Sequence, residues 1–156
     1  MRIEEEIKLD YSDVLFRPKR STLKSRKDVD LNRKYIFKYS KASWKGTPII
    51  ASNMDGVGEI GVAKKLTSHK VMTALTKQHT IDQINSLYKI SDCHKTVALS
   101  CGTSSESYNR LTRILQKFPK FEFICIDVAN GYSENFSHFV SSVRKKYPKK
   151  TIIAGN

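Results

Sequence analysis

The sequence predicts an α/β fold in which a parallel sheet alternates with amphipathic helices, and two observations support this prediction. Five short apolar runs recur along the chain, and helical patterns lie between them. The runs cover residues 48–52, 71–75, 97–100, 123–126 and 151–154. Strands that are apolar on both faces and separated by helices form parallel sheets. The pattern fits either a doubly wound sheet or an α/β barrel.

Local signals predict four helices between these strands. Thr80 and Gln83 form a capping box at the start of one helix, and another begins at about Ser105. Ser133 is the predicted N-cap of the clearest helix, and a fourth helix opens after the glycines at 56–61. The apolar faces of these helices are predicted to pack in the core rather than to bind a ligand.

The first 45 residues do not fit this repeat, because they are polar, charged and interrupted by Pro18. We therefore predict two parts, an N-terminal arm at 1–45 and the α/β part at 46–156. Six basic residues fall between Arg17 and Lys27, so the arm is strongly basic. Such a segment attracts anions, for example nucleotide phosphates.

The composition is that of a soluble protein with a packed core. The chain has 156 residues, of which 39% are hydrophobic and 28% are charged. No apolar run approaches the length of a membrane span, and the acidic N-terminus lacks the core of a signal peptide. We therefore expect a cytoplasmic protein that does not bind membranes.

The three cysteines, Cys93, Cys101 and Cys125, form no pattern of metal ligands or disulfides. We expect reduced, mostly buried thiols and no metal site. Cys101 lies in a loop after a predicted strand, but no histidine or cationic partner is close to it in sequence. Its predicted role is therefore structural rather than nucleophilic.

The formal net charge of +13 favours anionic partners. The common nucleic-acid motifs are nevertheless missing from the sequence, including the RNP pattern, Cys/His fingers and basic helices with heptads. A solvated lysine-rich surface explains most of the charge. No nucleic-acid partner is predicted.

Gly56, Gly58 and Gly61 form a GxGxxG motif after the first core strand, where a dinucleotide-binding fingerprint occurs. The second strand of such a fold ends in an acid that binds the ribose, whereas here Lys77 follows the strand. We interpret the motif as accidental, and a Rossmann-type NAD(P)-binding domain stays as an alternative. Under that alternative Gly58→Ala abolishes cofactor binding, whereas in a barrel it is expected to be nearly silent.

Two charged residues follow predicted strands. Asp127 closes the run at 123–126, and Lys77 follows the run at 71–75. Because the carboxyl ends of parallel strands face the ligand crevice, the two side chains can converge there and exchange protons. The simpler alternative for Asp127 is a turn or cap residue. The loop at 100–104 carries hydroxyls and amides that can bind a phosphate.

Several blocks of sequence carry a family resemblance. They are RPKRSTLKSR at 17–26, PIIASNMD at 48–55, Lys77, DVANGYSE at 127–134 and the final residues 154–156. Together they span essentially the whole chain, which resembles the N-terminal part of the IMP dehydrogenase/GMP reductase family. The first block and DVANGYSE are typical of its reductase branch. The resemblance implies a partial (β/α)8 barrel of about five parallel strands and four helices, preceded by the basic arm.

The resemblance also implies an activity, which is the NADPH-dependent conversion of GMP to IMP and ammonia by a homotetramer. In the family a cysteine attacks the purine, ammonia leaves, and hydride from the nicotinamide resolves the covalent intermediate. The matching positions are Lys77 and Asp127 for catalysis, Ser25, Arg26, Lys77, Asp127, Val128 and Ala129 for the cofactor, and Ser52 and Met54 for the nucleotide substrate.

The family's nucleophilic cysteine and its potassium loop match no position in this sequence. We therefore expect the 156-residue chain to be inactive alone, with the potassium site outside it. Two further hypotheses stay open. The chain is either a fragment that retains NADPH or nucleotide binding, or one that joins a reductase tetramer.

Overall fold

The computed structural model describes residues 5–155. Its contacts divide the chain into two units, Met1–Asp30 and Leu31–Asn156. In the first unit two 3₁₀ turns, Tyr11–Asp13 and Arg26–Asp28, each begin with a capping box. All of its described residues are exposed, so no buried core stabilises these turns. The hydrogen bonds of the capping boxes stabilise them instead.

The second unit contains one six-stranded sheet. Its strands are β1 (Arg33–Ile36), β2 (Ser43–Ala51), β3 (Val71–Leu75), β4 (Val97–Cys101), β5 (Phe123–Asp127) and β6 (Thr151–Gly155). The strands pair in sequence order, with β1 antiparallel to β2 and every later pair parallel. The five predicted parallel strands are therefore confirmed, and β1 adds an antiparallel edge strand.

Within residues 31–155, five helices cover the sheet. They are α1 (Ile60–Ser68), α2 (Ile81–Tyr88), α3 (Cys93–Thr96), α4 (Ser105–Lys117) and α5 (Glu134–Lys146). The predicted caps are present, because Thr80 and Gln83 form the capping box of α2 and Ser133 accepts a hydrogen bond from Phe136 at the start of α5. The unpredicted α3 is a single turn, which is too short to show helical periodicity.

Side chains alternate between two cores on the two faces of the sheet. Leu75, Leu99 and Ile124 pack beneath the helices in the larger, outer cluster. Their strand neighbours, which include Ala98 and Phe123, form a smaller cluster on the inner face. This period of two is the pattern of a sheet whose faces are both buried, and it accounts for the continuous apolar runs in the sequence.

The sheet is curled rather than flat. The turn after β1 reaches the first residue of β6, where the hydroxyls of Ser40 and Thr151 lie 2.7 Å apart. Phe37 packs edge-on against Phe123 with 5.5 Å between ring centroids. The β1–β2 hairpin therefore spans the amino-terminal end of the inner face, as a plug at the base of a partial barrel.

The strand order excludes the doubly wound alternative for the described residues. A doubly wound sheet needs a position at which the strand order reverses, and the order from β1 to β6 contains no reversal. The α/β partial barrel is therefore the observed fold. Among residues 5–155 no helix has both the length and the apolar character needed to cross a membrane.

The hairpin also bears on the predicted domain organisation. Strand β1 and the beginning of β2 lie within residues 31–45, in the same compact unit as the barrel strands. The contacts thus separate the chain after Asp30, fifteen positions before the arm was predicted to end. A functional boundary at residue 45 stays a prediction.

Candidate functional site

Lys77 and Asp127 meet at the carboxyl end of the sheet. The Lys77 Nζ donates a hydrogen bond to the backbone oxygen of Asp127 at 3.2 Å, and it lies 3.8 Å from Asp127 Oδ2. Each side chain is 42% exposed, so both charged groups remain accessible to a ligand. The predicted convergence of these two strand ends is present in the structure.

The pair lines a small open cleft of about 190 Å³. Its lining residues are Asn53, Asp55, Thr76, Lys77, Gln78 and Asp127. Two predicted substrate residues, Ser52 and Met54, are exposed on the same β2–α1 loop as Asn53 and Asp55, although neither lines the cleft. The cleft is therefore polar, with carboxylates, an ammonium and amides at its walls.

The loop after β4 lies against the Lys77 ammonium. A Cβ placed on Gly102 would be 3.6 Å from Lys77 Nζ, so the glycine leaves room beside the charge. The amide of Gly102 donates to Ser107 Oγ at 2.9 Å, and Ser104 caps α4 by accepting from the Ser107 amide. Three consecutive strand ends, those of β3, β4 and β5, thus supply the residues around Lys77.

The predicted cofactor residues after β5 do not all face the cleft. The side chain of Val128 packs against the outer core, and its amide donates to the Gly155 oxygen at 3.3 Å. Ala129 is exposed. Ser25 and Arg26 belong to the first unit, where Ser25 Oγ accepts from the Lys27 amide and Arg26 is exposed.

The three cysteines are free and buried. Burial raises the pKa of Cys93 to about 11 and that of Cys101 to about 12, with smaller contributions from Asp92 and Cys125 respectively. Burial also raises the pKa of Cys125. Because the thiolate is the nucleophilic form, none of the three is activated at neutral pH. The described residues contain no group of three or more His, Cys, Asp or Glu side chains that could hold a metal ion.

Sequence reasoning missed the structural role of His79 and Gly58. His79 is buried, and its Nε2 lies 2.9 Å from the Gly58 oxygen and 3.0 Å from Thr76 Oγ1. Because a carbonyl only accepts, Nε2 carries the proton and donates. The Thr76 amide also donates to the Gly58 oxygen, at 2.9 Å. These contacts fasten the β2–α1 loop to the end of β3, beside the cleft.

The same contacts explain the GxGxxG motif without a dinucleotide. Gly56 has φ +73°, a conformation that favours glycine, and a Cβ on Gly58 would lie only 2.6 Å from the Ala74 oxygen. Around Gly61 the space is open. The expectation that Gly58→Ala is nearly silent in a barrel does not fit this packing.

Comparison with known proteins identifies the family. Residues 8–156 match the family model described as the IMP dehydrogenase/GMP reductase domain. The chain belongs to the IMP dehydrogenase/GMP reductase family. In the fold of this family, the cleft at Lys77 lies where α/β barrels hold their active sites, at the carboxyl ends of the strands.

Relatives within the family point to one branch. The chain is 47% identical over 157 residues to a GMP reductase of Caenorhabditis elegans, covering 99% of this chain and 44% of the relative. It is 49% identical over 158 residues to a GMP reductase of Klebsiella pneumoniae, covering 100% of this chain and 46% of the relative. This family member therefore spans less than half the length of these relatives.

A solved structure within the family supports the fold. The crystal structure of inosine 5′-monophosphate dehydrogenase from Legionella pneumophila superposes with a TM-score of 0.71 at 25% sequence identity. The superposition covers 93% of this chain and 43% of that one. The predicted site residues of this family member stay predictions, because these similarities concern the fold and the family.

Proposed function

We propose that this chain forms the cofactor side of an NADPH-dependent GMP reductase site, at which GMP becomes IMP and ammonia. The observation that carries this proposal is the Lys77–Asp127 pair, which lies exposed at the carboxyl ends of barrel strands in a member of this family. Relatives named GMP reductase, with identities of 47–50%, favour the reductase branch over the dehydrogenase branch.

In this proposal Lys77 and Asp127 hold and transfer a proton. One hydrogen of the Lys77 ammonium is held by the Asp127 backbone oxygen, and the others are available to a group in the cleft. The Asp127 carboxylate lies 3.8 Å from the Lys77 ammonium and orients it, so the pair can protonate a departing amine. NADPH, when bound, supplies the hydride.

The proposed cofactor residues suit the chemistry of NADPH. Its phosphates need cations and hydrogen-bond donors, which Lys77 and Arg26 supply by charge and Ser25 by its hydroxyl. Ser25 Oγ accepts from the Lys27 amide, and its own hydrogen remains available for donation. Asp127 and the residues that follow it, Val128 and Ala129, are proposed to border the nicotinamide.

The β2–α1 loop is the proposed side for the purine nucleotide. The Met54 side chain is 64% exposed and offers an apolar surface to a flat base. Ser52 is exposed next to it, with a hydroxyl that can bind a polar group of the nucleotide. Both residues lie one strand away from Lys77, a spacing that allows the base and the cofactor to approach each other.

We further propose that the isolated chain binds NADPH without turnover. Its cysteines are buried and have raised pKa values, so none can act as the nucleophile of the family's reaction. A complete site then needs groups from outside these residues, among them the nucleophile and the potassium ligands. Three free thiols suit a reducing compartment, and we place the protein in the cytoplasm.

Association with further copies is part of the proposal. In the first unit Leu15 is 97% exposed and Phe16 is fully exposed. Exposed neighbouring apolar side chains of this size mark interaction surfaces in soluble proteins. We propose that a neighbouring subunit covers them in a homotetramer, in which the basic arm reaches the cofactor of that subunit.

Two measurements on the purified chain test the proposed function. With GMP and NADPH present, we expect no loss of NADPH absorbance. Calorimetric titration with NADPH is expected to give saturable heat that Lys77→Met weakens by at least about tenfold, equivalent to about 1.4 kcal/mol. Lys64→Met, an exposed change on α1, serves as the matched control and is expected to bind like the parent. The proposal would be contradicted if the chain turned over GMP, or if Lys77→Met bound NADPH with the affinity of the parent.

A further inference from the structure

A second cleft lies at the opposite end of the sheet from Lys77. It has a volume of about 260 Å³, and its lining includes Lys45 of β2, Lys70 before β3 and Lys95 of α3. We call it the lysine cleft. Because Lys70 precedes β3 and Lys77 follows it, the whole length of that strand separates the lysine cleft from the candidate catalytic cleft.

The lysine cleft has a surplus of positive charge. Asp92 is the single carboxylate in its lining, and it lies 3.8 Å from the Lys95 ammonium. The described residues provide no ion-pair partner for Lys45 or Lys70. Two lysines without an ion-pair partner thus line a small space that holds one carboxylate, and an anion would offset this surplus of positive charge.

Two residues of the lining have a left-handed backbone conformation. Lys70 has φ +56° and Asp92 has φ +63°, and they are two of the three non-glycine residues with positive φ in the described chain. Position 70 follows the end of α1, where glycine is the usual residue. A lysine held in this conformation places an ammonium where an ordinary helix end would have no side chain.

Gly46 lets the two strands approach closely enough to bring these lysines together. A Cβ on Gly46 would overlap the Lys70 carbonyl oxygen and would lie 2.6 Å from Cζ2 of Trp44. The Thr47 amide donates to that same carbonyl at 3.1 Å. The turn that carries Lys70 is thereby fixed directly against the strand that carries Lys45.

One donor in the lining lacks an acceptor. Trp44 is 5% exposed, and within the described residues its Nε1 has no hydrogen-bond partner. A buried N–H without an acceptor is uncommon in folded proteins. Thr67 and Thr96 also line the cleft, but their hydroxyls are bonded to each other and to backbone oxygens, so the free donors of the lining, besides Trp44 Nε1, are its lysines.

We propose that the lysine cleft binds a small phosphate-bearing anion, either inorganic phosphate or a phosphomonoester. The volume is below that of sites for drug-sized ligands, which favours a compact anion. Lys45 and Lys70 neutralise its charge, and Lys95 adds a third ammonium whose carboxylate partner is already in place. The site is separate from the proposed reductase site and does not depend on it.

Phosphate titration of the full 156-residue chain tests this proposal. Backbone amide shifts are followed by NMR at constant ionic strength, with inorganic phosphate in one arm and ribose 5-phosphate in the other. We expect saturable shifts confined to residues 43–46, 67–70 and 92–96. Tighter binding in the second arm would identify a phosphomonoester as the ligand, and equal binding would identify phosphate itself.

Matched variants distinguish binding at the lysine cleft from nonspecific attraction of phosphate by the positive charge of the chain. Lys45→Gln with Lys70→Asn removes both unpaired ammonium groups, and asparagine tolerates the left-handed conformation at position 70. We expect at least tenfold weaker binding, and Lys64→Gln with Lys65→Gln, which removes the same charge from the exposed side of α1, is expected to bind normally. Lys45→Gln alone leaves the turn intact and is expected to weaken binding by a smaller factor. Equal weakening in the control pair, shifts centred elsewhere, or no saturation would overturn the proposal.

Discussion

Lys77 and Asp127 are fifty positions apart in sequence, yet the Lys77 ammonium donates to the Asp127 backbone oxygen at 3.2 Å and lies 3.8 Å from its carboxylate. The contact arises because β3 and β5 are parallel and flank β4, so that their carboxyl ends lie at the same edge. Each side chain remains 42% exposed, so a ligand can reach both charged groups.

Lys77→Met is expected to lower the affinity for NADPH with little change in the free energy of unfolding. Partly exposed ion pairs contribute between about 0 and 1 kcal/mol, so the free energy of unfolding is expected to fall by less than about 1 kcal/mol. The affinity for NADPH is expected to fall much further, because the proposed site loses its central cation. Urea unfolding measures the first quantity and calorimetry the second. A variant that unfolds readily and binds NADPH normally would assign Lys77 a structural role.

Gly58→Ala is expected to destabilise the barrel. The added Cβ meets the Ala74 oxygen at 2.6 Å, and overpacking of this kind costs about 1–3 kcal/mol. Gly61→Ala is the matched control, since the space around Gly61 is open and alanine favours a helix by up to about 1 kcal/mol. Thermal unfolding compares the two variants. If Gly58→Ala retained full stability while losing NADPH binding, the motif would be a cofactor fingerprint after all.

His79→Ala should loosen the β2–α1 loop. It removes a buried ring and the bond from Nε2 to the Gly58 oxygen, for an expected loss of about 2–4 kcal/mol. His138→Ala, on the exposed side of α5, is expected to change stability by less than about 0.5 kcal/mol. Chemical denaturation measures both. Equal stability of the two variants would show that His79 does not hold the loop.

The cysteines should resist alkylation in the folded chain. The pKa of Cys101 is raised to about 12 from 9.0, so at pH 8 its thiolate is about a thousandfold scarcer than in the unfolded chain. Iodoacetamide labelling, followed by peptide mass mapping with and without guanidinium chloride, measures this protection. Rapid native labelling of Cys101 would show that it is accessible and ionised, contrary to the structure.

The same pKa shift fixes the direction of a pH effect on stability. Above pH 9 the unfolded thiol ionises while the folded one stays protonated, so the unfolded state releases more protons. The free energy of unfolding contributed by Cys101 is therefore complete below pH 9 and is lost as the pH rises toward 12. Cys101→Ser is expected to reduce this alkaline loss, measured by denaturant unfolding across that range.

The sequence was sufficient to predict the parallel strands because their burial on both faces leaves continuous apolar runs, as at 71–75. Capping residues such as Thr80 and Ser133 likewise predict helix starts through local hydrogen bonds. Strand β1 was missed because it has only four residues, all exposed and two of them charged, so no apolar run marks it.

The candidate site was only partly predictable. The Lys77–Asp127 meeting follows from strand topology, whereas the burial of His79 depends on contacts with Gly58 that no local pattern encodes. The lysine cleft was missed for the same reason. Lys45, Lys70 and Lys95 are evenly spread in sequence among many other lysines, and only the packing at Gly46 brings the first two together.

We propose that residues 8–156 carry a working part of a GMP reductase, with Lys77 at its reacting centre. The most direct measurement grafts this segment into the GMP reductase of Klebsiella pneumoniae in place of the matching segment and follows NADPH consumption with GMP. We predict activity within about tenfold of the parent enzyme, and a fall of at least about a hundredfold on Lys77→Met in the graft. A folded graft without activity, or one that Lys77→Met leaves fully active, would contradict the claim.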